Sequence, residues 1–461
     1  MDAYNLFIKE SGIKAFDLEH RRKINFNISK YDFAVSNGKN QYKNIEKAKN
    51  RAGFLKYKVI NDLDKYLIQF EDKFTANGGK VIWAQDKKEA LKEILDIVKE
   101  NKIKTVVKTK SMTTEEIDLN EALEKKKINA LETDLGEYIV QLAGEKPYHI
   151  VTPAMHKSKE DIAQLFNEKF NTDLNSSPEE LTAFVRNLLK EKFIEADLGV
   201  SGANFLIPDI GGIALTENEG NGMMTMSFPK IHIVIAGIEK FIPRFTDLDL
   251  FWPLLSTHGT GQNISVYNSI VTGPRKTGEV DGPKKMYVIL LDNNRTNLLA
   301  QDRQRRALSC IKCGACLNAC PVYKNIGGHT YNTTYSGPIG AVSNPFLLDM
   351  EEYKHQSFAS SLCGKCTEVC PVKIPLHELL LVNRNDSVKS KFYSGKDKFF
   401  IKVWKRTMST RKRMDMFSGN RKNLFIKNFF KKTWGTHREL PKIKEKSFNK
   451  MWKESKDHET E

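Results

Sequence analysis

The chain has 461 residues, of which 40% are hydrophobic and 28% are charged, and its formal net charge is +16. This length allows two or three domains with cores of their own, and no run of about twenty apolar residues exists that could span a membrane. Residues 389–453 contain 21 Lys or Arg against four Asp or Glu. The basic charge therefore belongs to a tail, which argues against a uniformly basic, nucleic-acid-coating protein.

Residues 1–60 are polar with helix-period apolar positions, which predicts an N-terminal helical arm. From residue 79, short apolar segments alternate with amphipathic ones, a pattern typical of an α/β domain with a mainly parallel sheet, and we assign residues 61–295 to it. The predicted strands are residues 81–84, 105–108, 128–132, 149–152, 211–216, 230–236, 264–271 and 285–291. The predicted helices are residues 87–100, 114–126 and 178–196, and Thr113 with Glu116 has the spacing of a capping box.

The glycine-rich loop 217–222 is the best candidate for a small-molecule site in the α/β domain. Its glycines let backbone N–H groups approach an anion, and α/β sheets bind ligands where their strands end. Glu219 lies in this loop and is a candidate reactive carboxylate, although a solvated glutamate in a turn fits the same pattern. Lys108, Lys110 and Ser111 precede a helix start in similar geometry. Asp134, Glu137, His156 and His232 are weaker candidates that fit structural roles equally well.

All seven cysteines lie between Cys310 and Cys370, in two runs. The first run is Cys310-x2-Cys313-x2-Cys316-x3-Cys320-Pro, and the second is Cys363-x2-Cys366-x3-Cys370-Pro, displaced by 50 residues. The first spacing is that of bacterial iron–sulfur proteins, in which the fourth cysteine ligates the other cluster. We therefore predict two iron–sulfur clusters and an electron-transfer function.

On this crossed pattern, the first [4Fe–4S] cluster takes Cys310, Cys313, Cys316 and Cys370. The second cluster takes Cys320, Cys363 and Cys366 and lacks a fourth cysteine, because Ser360 stands where Cys310 has its counterpart. It is then either a [4Fe–4S] cluster with a ligand of another kind or a [3Fe–4S] cluster. The open choices for that ligand are Ser360, His329, His355 and a solvent oxygen.

Two other readings of the cysteines fit less well. Disulfides are disfavoured by the odd count and by the absence of a secretory pattern at residues 1–4, and cytosolic thiols stay reduced. Zinc sites use four ligands in paired knuckles, which seven cysteines in triple runs do not supply. Helical patterns around the cysteines predict an α-helical ferredoxin-like domain over residues 296–388, followed by a basic helical tail over residues 389–461.

Several phrases of the sequence resemble the lactate utilisation protein B family, the iron–sulfur subunit of the bacterial L-lactate utilisation system. They are Lys110-Ser-Met-Thr-Thr-Glu-Glu, Glu132-Thr-Asp-Leu-Gly-Glu-Tyr, His149-Ile-Val-Thr-Pro-Ala-Met-His, Gly199-Val-Ser-Gly-Ala-Asn-Phe, Thr216-Glu-Asn-Glu-Gly-Asn-Gly and Ser361-Leu-Cys-Gly-Lys-Cys-Thr-Glu-Val-Cys-Pro-Val-Lys-Ile.

The resemblance implies an α/β lactate-utilisation domain similar to sugar-phosphate isomerases and CoA transferases. In CoA transferases a glutamate near such a loop is the nucleophile, which is why Glu219 is the catalytic candidate. The resemblance also implies a two-cluster ferredoxin-like domain that carries electrons while L-lactate is oxidised to pyruvate. The implied partners are two companion subunits, one of them cysteine-rich, and three cysteines in the second run are the family's own pattern.

The leading hypothesis is therefore an electron-transfer component of an oxidoreductase complex rather than a complete enzyme. One alternative makes the α/β domain a catalyst acting on an anionic acid or thioester, and another is a redox-sensing nucleic-acid-binding regulator, with nucleic acid the least favoured partner. We expect a cytoplasmic protein. The interleaved basic and aromatic residues of the tail fit peripheral contact with the inner face of the membrane, an acidic partner surface or a solvated tail.

Overall fold

The structure is a computed structural model that describes residues 2–434 and 438–459. The chain divides into two compact units, Met1–Ser387 and Val388–Glu461. The finer division of the first unit at residues 60 and 295 stays a prediction. In the part of the chain that the structure describes, every helix is too short or too polar to cross a lipid bilayer.

The first unit opens with helices that pack against the cysteine segment. Phe7 and Ile24 are buried in one apolar core with Leu317 and Ile339. The arm therefore covers the cysteine segment and is not a separate appendage. The helices of the arm are α1 (Ala3–Lys14), α2 (Leu18–Gly38) and α3 (Ile45–Asn61), and α4 (Leu63–Ala76) follows them.

Two sheets follow, and their strands are β1 (Lys80–Ala84), β2 (Thr105–Lys108), β3 (Asn129–Glu132), β4 (Leu198–Ser201), β5 (Phe205–Ile207), β6 (Gly212–Glu217), β7 (Ile231–Gly237), β8 (Tyr267–Val271) and β9 (Lys285–Leu291). The larger sheet has the order β1-β9-β7-β4-β2-β3, and its strand pairs are parallel. The smaller sheet, β5-β6-β8, is antiparallel. The predicted α/β class with a mainly parallel sheet is confirmed.

Helices cover both faces of the larger sheet, which is why its strands are continuous apolar runs. On β7, Ile233 packs into the core that contains Ile94 of α5 (Lys87–Glu100). Its neighbour Val234 faces the core that contains Phe70 of α4. The helices of this region are α5 (Lys87–Glu100), α6 (Met112–Glu116), α7 (Leu119–Glu124), α8 (Leu135–Leu142), α9 (Lys159–Phe170), α10 (Pro178–Glu195), α11 (Asn221–Ser227), α12 (Leu248–Gly259) and α13 (Arg295–Leu299).

The cysteine segment consists of short helices joined by tight turns, as predicted for a helical ferredoxin-like domain. Apolar side chains of this segment, such as Val342 and Leu380, are buried with those of the N-terminal helices. Its helices are α14 (Ala315–Asn318), α15 (Pro321–Ile326), α16 (Gly337–Leu347), α17 (Met350–Phe358), α18 (Lys365–Glu368) and α19 (Leu376–Lys389).

The second unit is helical, as predicted for the basic tail. Its helices are α20 (Gly395–Met408), α21 (Arg411–Met414), α22 (Gly419–Trp434) and α23 (Phe448–Glu459). The first two contain no buried residue, and the Trp404 side chain is 64% exposed. This unit therefore presents its aromatic side chains largely to solvent.

Two local predictions were wrong. Residues 149–152 form a turn rather than a strand, because His149 Nδ1 accepts hydrogen bonds from the backbone N–H groups of Val151 and Thr152 (3.1 and 3.2 Å). The predicted helix 114–126 is two helices, α6 and α7, and Ser111 rather than Thr113 is the N-cap of the first.

Candidate iron–sulfur site

The two cysteine runs fold as copies of one another. Lys312 and Gly314 have φ values of 60° and 76°, and their counterparts 50 residues later, Leu362 and Gly364, have φ values of 54° and 78°. A four-residue helix follows each glycine, α14 in the first run and α18 in the second. The sequence repeat is therefore also a repeat of backbone conformation.

Gly314 has a steric reason to be glycine besides its positive φ. A Cβ at this position would lie 3.0 Å from the His149 ring, which packs against the first cysteine loop. Positive φ favours glycine, and a side chain here would also press on the imidazole. The turn at His149 thus joins the α/β region to the cysteine loop.

Four cysteines line one small cavity, and they are Cys310, Cys313, Cys316 and Cys370. The rest of its wall is largely apolar, with Ile150, Ile339 and Ile374 almost fully buried. Burial, together with the charge of Cys310, raises the pKa of Cys370 to about 11. Buried thiols in this setting stay neutral unless a cation binds them. The structure thus brings together the four residues predicted to hold the first cluster.

Backbone N–H groups point at two of these sulfurs. Lys312 N donates to Cys310 Sγ, and Ile374 N donates to Cys370 Sγ, each over 3.4 Å. Such hydrogen bonds are one of the means by which proteins set the reduction potential of an iron–sulfur cluster.

Two lysines lie near Cys310, of which Lys56 is buried and Lys240 is half-buried. Burial lowers the pKa of Lys56 to about 7 and that of Lys240 to about 8, while the negative charges of Glu239 and Cys310 oppose this shift in both. Lys56 Nζ donates to the Glu239 and Phe241 carbonyl groups over 2.7 and 2.8 Å. When they are protonated, these two lysines offset the negative charge that cluster-bound thiolates would carry.

The second set consists of Cys320, Cys363 and Cys366. Burial raises the pKa of Cys366 to about 11, and the charges of Cys320 and Cys363 add to the shift. Cys363 is exposed, and its pKa is lowered by the backbone N–H of Lys365 and the Ser361 hydroxyl. This set therefore reaches the protein surface, whereas Cys313 and Cys370 of the first set are buried.

The spacing of the sulfurs does not fit a single zinc ion. Tetrahedral zinc with Zn–S bonds of about 2.3 Å holds its ligands roughly 3.8 Å apart. Among the described residues, no three cysteine sulfurs lie within 4.8 Å of one another. Soft thiolates that are grouped but held further apart fit a larger, multi-iron centre.

A larger cavity lies beside the first cysteine loop and includes Glu219. Desolvation and the charge of Asp134 together raise the pKa of Glu219 to about 7, although the residue is exposed to solvent. Its Oε2 accepts a hydrogen bond from Leu135 N over 3.1 Å. The walls of this cavity also contain Lys110, Asp134, Glu217, Lys312 and Cys313. The candidate carboxylate and a predicted cluster ligand therefore border one cavity.

Other sequence candidates have structural partners. Lys108 is fully buried, and its Nζ pairs with Glu132 over 2.7 Å and with Glu115 over 2.9 Å. His232 is buried, and its Nε2 shares a 2.8 Å hydrogen bond with Ser201 Oγ. His156 shares a 2.6 Å hydrogen bond with Glu145.

Two further candidates cap helices. Ser111 is the N-cap of α6, and Asp134 Oδ1 accepts from Glu137 N over 3.0 Å at the start of α8. Lys110 is different, because it lines the cavity while its Nζ bonds the Val151 carbonyl (2.8 Å) and pairs with Asp134 (3.3 Å). The contact of this cavity with Lys312 and Cys313 is the feature that the sequence missed, since no motif links positions 110 and 313.

Known proteins share both parts of this arrangement. Residues 67–291 match the LUD domain, and residues 306–374, which contain all seven cysteines, match the 4Fe-4S dicluster domain. Lactate utilization protein B of Bacillus velezensis is 44% identical over 347 residues, which are 75% of this chain and 73% of that protein. The chain belongs to the lactate utilization protein B family. Its cysteine segment is thus an iron–sulfur cluster-binding domain.

Other relatives agree with this assignment. Lactate utilization protein B of Bacillus subtilis is 44% identical over 75% of this chain and 72% of its own length. That of Bacillus thuringiensis is 46% identical over 71% of this chain and 68% of its own. A solved structure of a DUF162 family protein from Deinococcus radiodurans aligns with 50% of this chain and 98% of that chain at 14% identity, with a TM-score of 0.28.

Proposed function

We propose that this protein is the iron–sulfur electron-transfer subunit of a complex that oxidises L-lactate to pyruvate. The observation that carries the proposal is the grouping of its cysteines into two sets, one lining a cavity and the other reaching the surface. The name of its relatives, lactate utilization protein B, supports the substrate.

In this proposal Cys310, Cys313, Cys316 and Cys370 hold one [4Fe–4S] cluster, and Cys320, Cys363 and Cys366 hold a second cluster. When bound, such clusters accept and release single electrons. The chain supplies thiolate ligands, an apolar wall at the first set and hydrogen bonds to sulfur. The second set is adjacent to the first, since the Cys366 charge contributes to the raised pKa of Cys316.

The proposal includes a direction of electron travel. Cys313 borders the cavity that contains Glu219, whereas Cys363 is exposed. We infer that the cavity side faces the oxidation step and that the surface around Cys363 meets a companion subunit. The proposed companions are the other subunits of the lactate utilisation system, one of them cysteine-rich.

The test is reduction by substrate in the assembled complex. The tagged chain is purified anaerobically from its native host with its companions, L-lactate is added, and electron paramagnetic resonance spectra are recorded. We expect reduced-cluster signals with lactate, as with dithionite. Clusters that dithionite reduces but lactate leaves oxidised would contradict the proposed role.

A second candidate function is catalysis by the α/β domain on an anionic acid or thioester. The specific observation in its favour is Glu219, whose raised pKa of about 7 suits a general acid or base at neutral pH. Glu219→Gln in the same lactate experiment separates the two functions. The electron-transfer proposal expects normal cluster reduction, whereas the catalytic alternative expects a loss of turnover with cluster content intact.

For the second unit we propose peripheral contact with the cytoplasmic face of the membrane. Exposed aromatic residues such as Phe399 and Trp404 share helix α20 with Lys402, Lys405 and Arg406. Basic residues attract anionic lipid, and aromatic rings favour the interfacial region. The protein would then be cytoplasmic and associated reversibly with the inner face of the membrane.

A further inference from the structure

Ser360 occupies the same structural position as Cys310. Lys312 N donates to Cys310 Sγ over 3.4 Å, and Leu362 N donates to Ser360 Oγ over 3.1 Å. In each case the donor lies two residues after the acceptor and has a positive φ, 60° at Lys312 and 54° at Leu362. Ser360 therefore repeats the contact that a predicted cluster ligand makes in the first run.

We propose that Ser360 Oγ is the fourth ligand of the second iron–sulfur cluster, an inference that rests on the proposed two-cluster function. The other three ligands are Cys320, Cys363 and Cys366. On binding iron, the Ser360 hydroxyl releases its proton to solvent, and no electron is transferred in that step. The cluster is then a [4Fe–4S] cluster with three sulfur ligands and one oxygen ligand.

The backbone of Ser360 is anchored, so its side chain does not belong to a free loop. Ser360 N donates to the Phe358 carbonyl over 2.8 Å, and Arg384 Nη2 donates to the Ser360 carbonyl over 3.2 Å. Arg384 also holds the Ser357 carbonyl over 2.9 Å and lies over the Phe358 ring. These bonds fix the segment before Cys363, as a ligand position requires.

The two histidines that the sequence offered as alternatives have other surroundings. His329 Nε2 bonds the Lys146 carbonyl over 2.7 Å, and its ring packs on Tyr148 and His156. His355 Nδ1 bonds the Glu352 carbonyl over 2.9 Å, and its ring packs on Phe7.

His355 is nevertheless the stronger rival, because its Nε2 is buried without a hydrogen-bond partner among the described residues. Its counterpart 50 residues earlier is Arg305, which is not a ligand, whereas the counterpart of Ser360 is Cys310. The internal repeat therefore favours the serine.

An oxygen ligand makes this corner of the cluster distinctive. Oxygen is harder than thiolate and suits iron–sulfur clusters less well, so the iron at Ser360 is bound less firmly than the other three. Binding also needs the deprotonated ligand, which makes retention of this iron dependent on pH.

The test compares anaerobically purified variants of the full chain by iron analysis, electron paramagnetic resonance and Mössbauer spectroscopy. Ser360→Ala is expected to lose one iron of about eight and to gain the signal of an oxidised [3Fe–4S] cluster. Ser360→Cys is expected to keep four irons in the second cluster, with one Mössbauer site changed. Ser29→Ala is the control, because it removes an exposed hydroxyl of α2 that donates to the Phe26 carbonyl, and it should leave the iron count unchanged.

The proposal is overturned if Ser360→Ala keeps all its iron, if the wild type already contains a [3Fe–4S] cluster, or if His355→Gln alone causes the loss. Should Ser360→Ala also lose the first cluster, Ser360→Cys decides: an unchanged Mössbauer spectrum rejects serine ligation, and one altered site supports it. Absence of any second cluster from the wild type would instead contradict the proposed function.

Discussion

At the scale of single residues, Glu219 is a carboxylate of the larger cavity whose pKa the fold raises. Burial and the charge of Asp134 raise its pKa from 4.5 to about 7. The folded state therefore holds this proton more tightly than the unfolded state does. Between about pH 4.5 and 7, ionisation of Glu219 lowers stability as the pH rises, and the full penalty is present above pH 7.

Glu219→Gln should remove that penalty, because glutamine resembles the protonated side chain. We expect the variant to match the wild type near pH 4.5 and to have a slightly higher free energy of unfolding at pH 8, because Glu219 is exposed and solvent screens its charge. Urea denaturation of both proteins at several pH values measures the difference. A difference that does not change with pH would contradict the raised pKa.

At the scale of elements, a buried ionic network joins the α/β region to the cysteine segment. Arg295 of α13 pairs with Glu116 of α6 over 2.8 Å and with Glu239 over 2.6 Å. Tyr335, just before α16, donates to Glu116 over 2.7 Å. The three charged side chains are at most 7% exposed. Removal of the arginine would leave two buried carboxylates without their cation.

Arg295→Leu is therefore expected to lower the free energy of unfolding by about 3–5 kcal/mol. Arg303→Leu is the matched control, because its pair with Glu378 spans 3.4 Å with both side chains more than half exposed, and it should cost about 1 kcal/mol or less. Urea denaturation of the full-length wild type and both variants measures the free energy of unfolding of the first unit. Equal losses of unfolding free energy in the two variants would contradict a larger contribution from the buried network.

Some strands and helices were predictable from the sequence, and others were not. Most strands of the parallel sheet were predictable, since β7 and β9, for example, are apolar runs that helices bury on both faces, but the four-residue strand β4 was missed. The break between α6 and α7 was not, because it depends on Asp118, which has a φ of 49° and pairs with Lys87 and Lys146. Those partners are distant in sequence, and no local sequence pattern predicts them.

The candidate site divides in the same way. Cysteine spacing predicted which sulfurs would meet, since a 50-residue repeat is visible in the sequence itself. The cavity between Glu219 and Cys313 was not predictable, because it depends on how the β6–α11 loop packs against a loop about 90 residues later. The hydrogen bond that Ser360 and Cys310 share was also not predictable, because it depends on the backbone conformation two residues later.

At the scale of the whole molecule, the second unit carries most of the net positive charge. We expect the full chain to sediment with anionic lipid vesicles at low salt, and a chain ending at residue 387 to stay in solution. Each basic residue near the membrane surface is worth about 1 kcal/mol, so replacing Lys402, Lys405 and Arg406 by Gln should weaken binding on the order of 100-fold. Equal sedimentation of full-length and shortened chains would contradict membrane contact through this unit.

The central claim is that two cysteine runs cross to hold two clusters. Electron paramagnetic resonance of dithionite-reduced Cys310→Ala, Cys320→Ala, Cys366→Ala and Cys370→Ala variants tests it most directly. The account predicts that Cys370→Ala loses the same signal as Cys310→Ala, and that Cys320→Ala loses the same signal as Cys366→Ala. Pairing of Cys370 with Cys366 instead, or stoichiometric zinc without any cluster signal in the wild type, would contradict it.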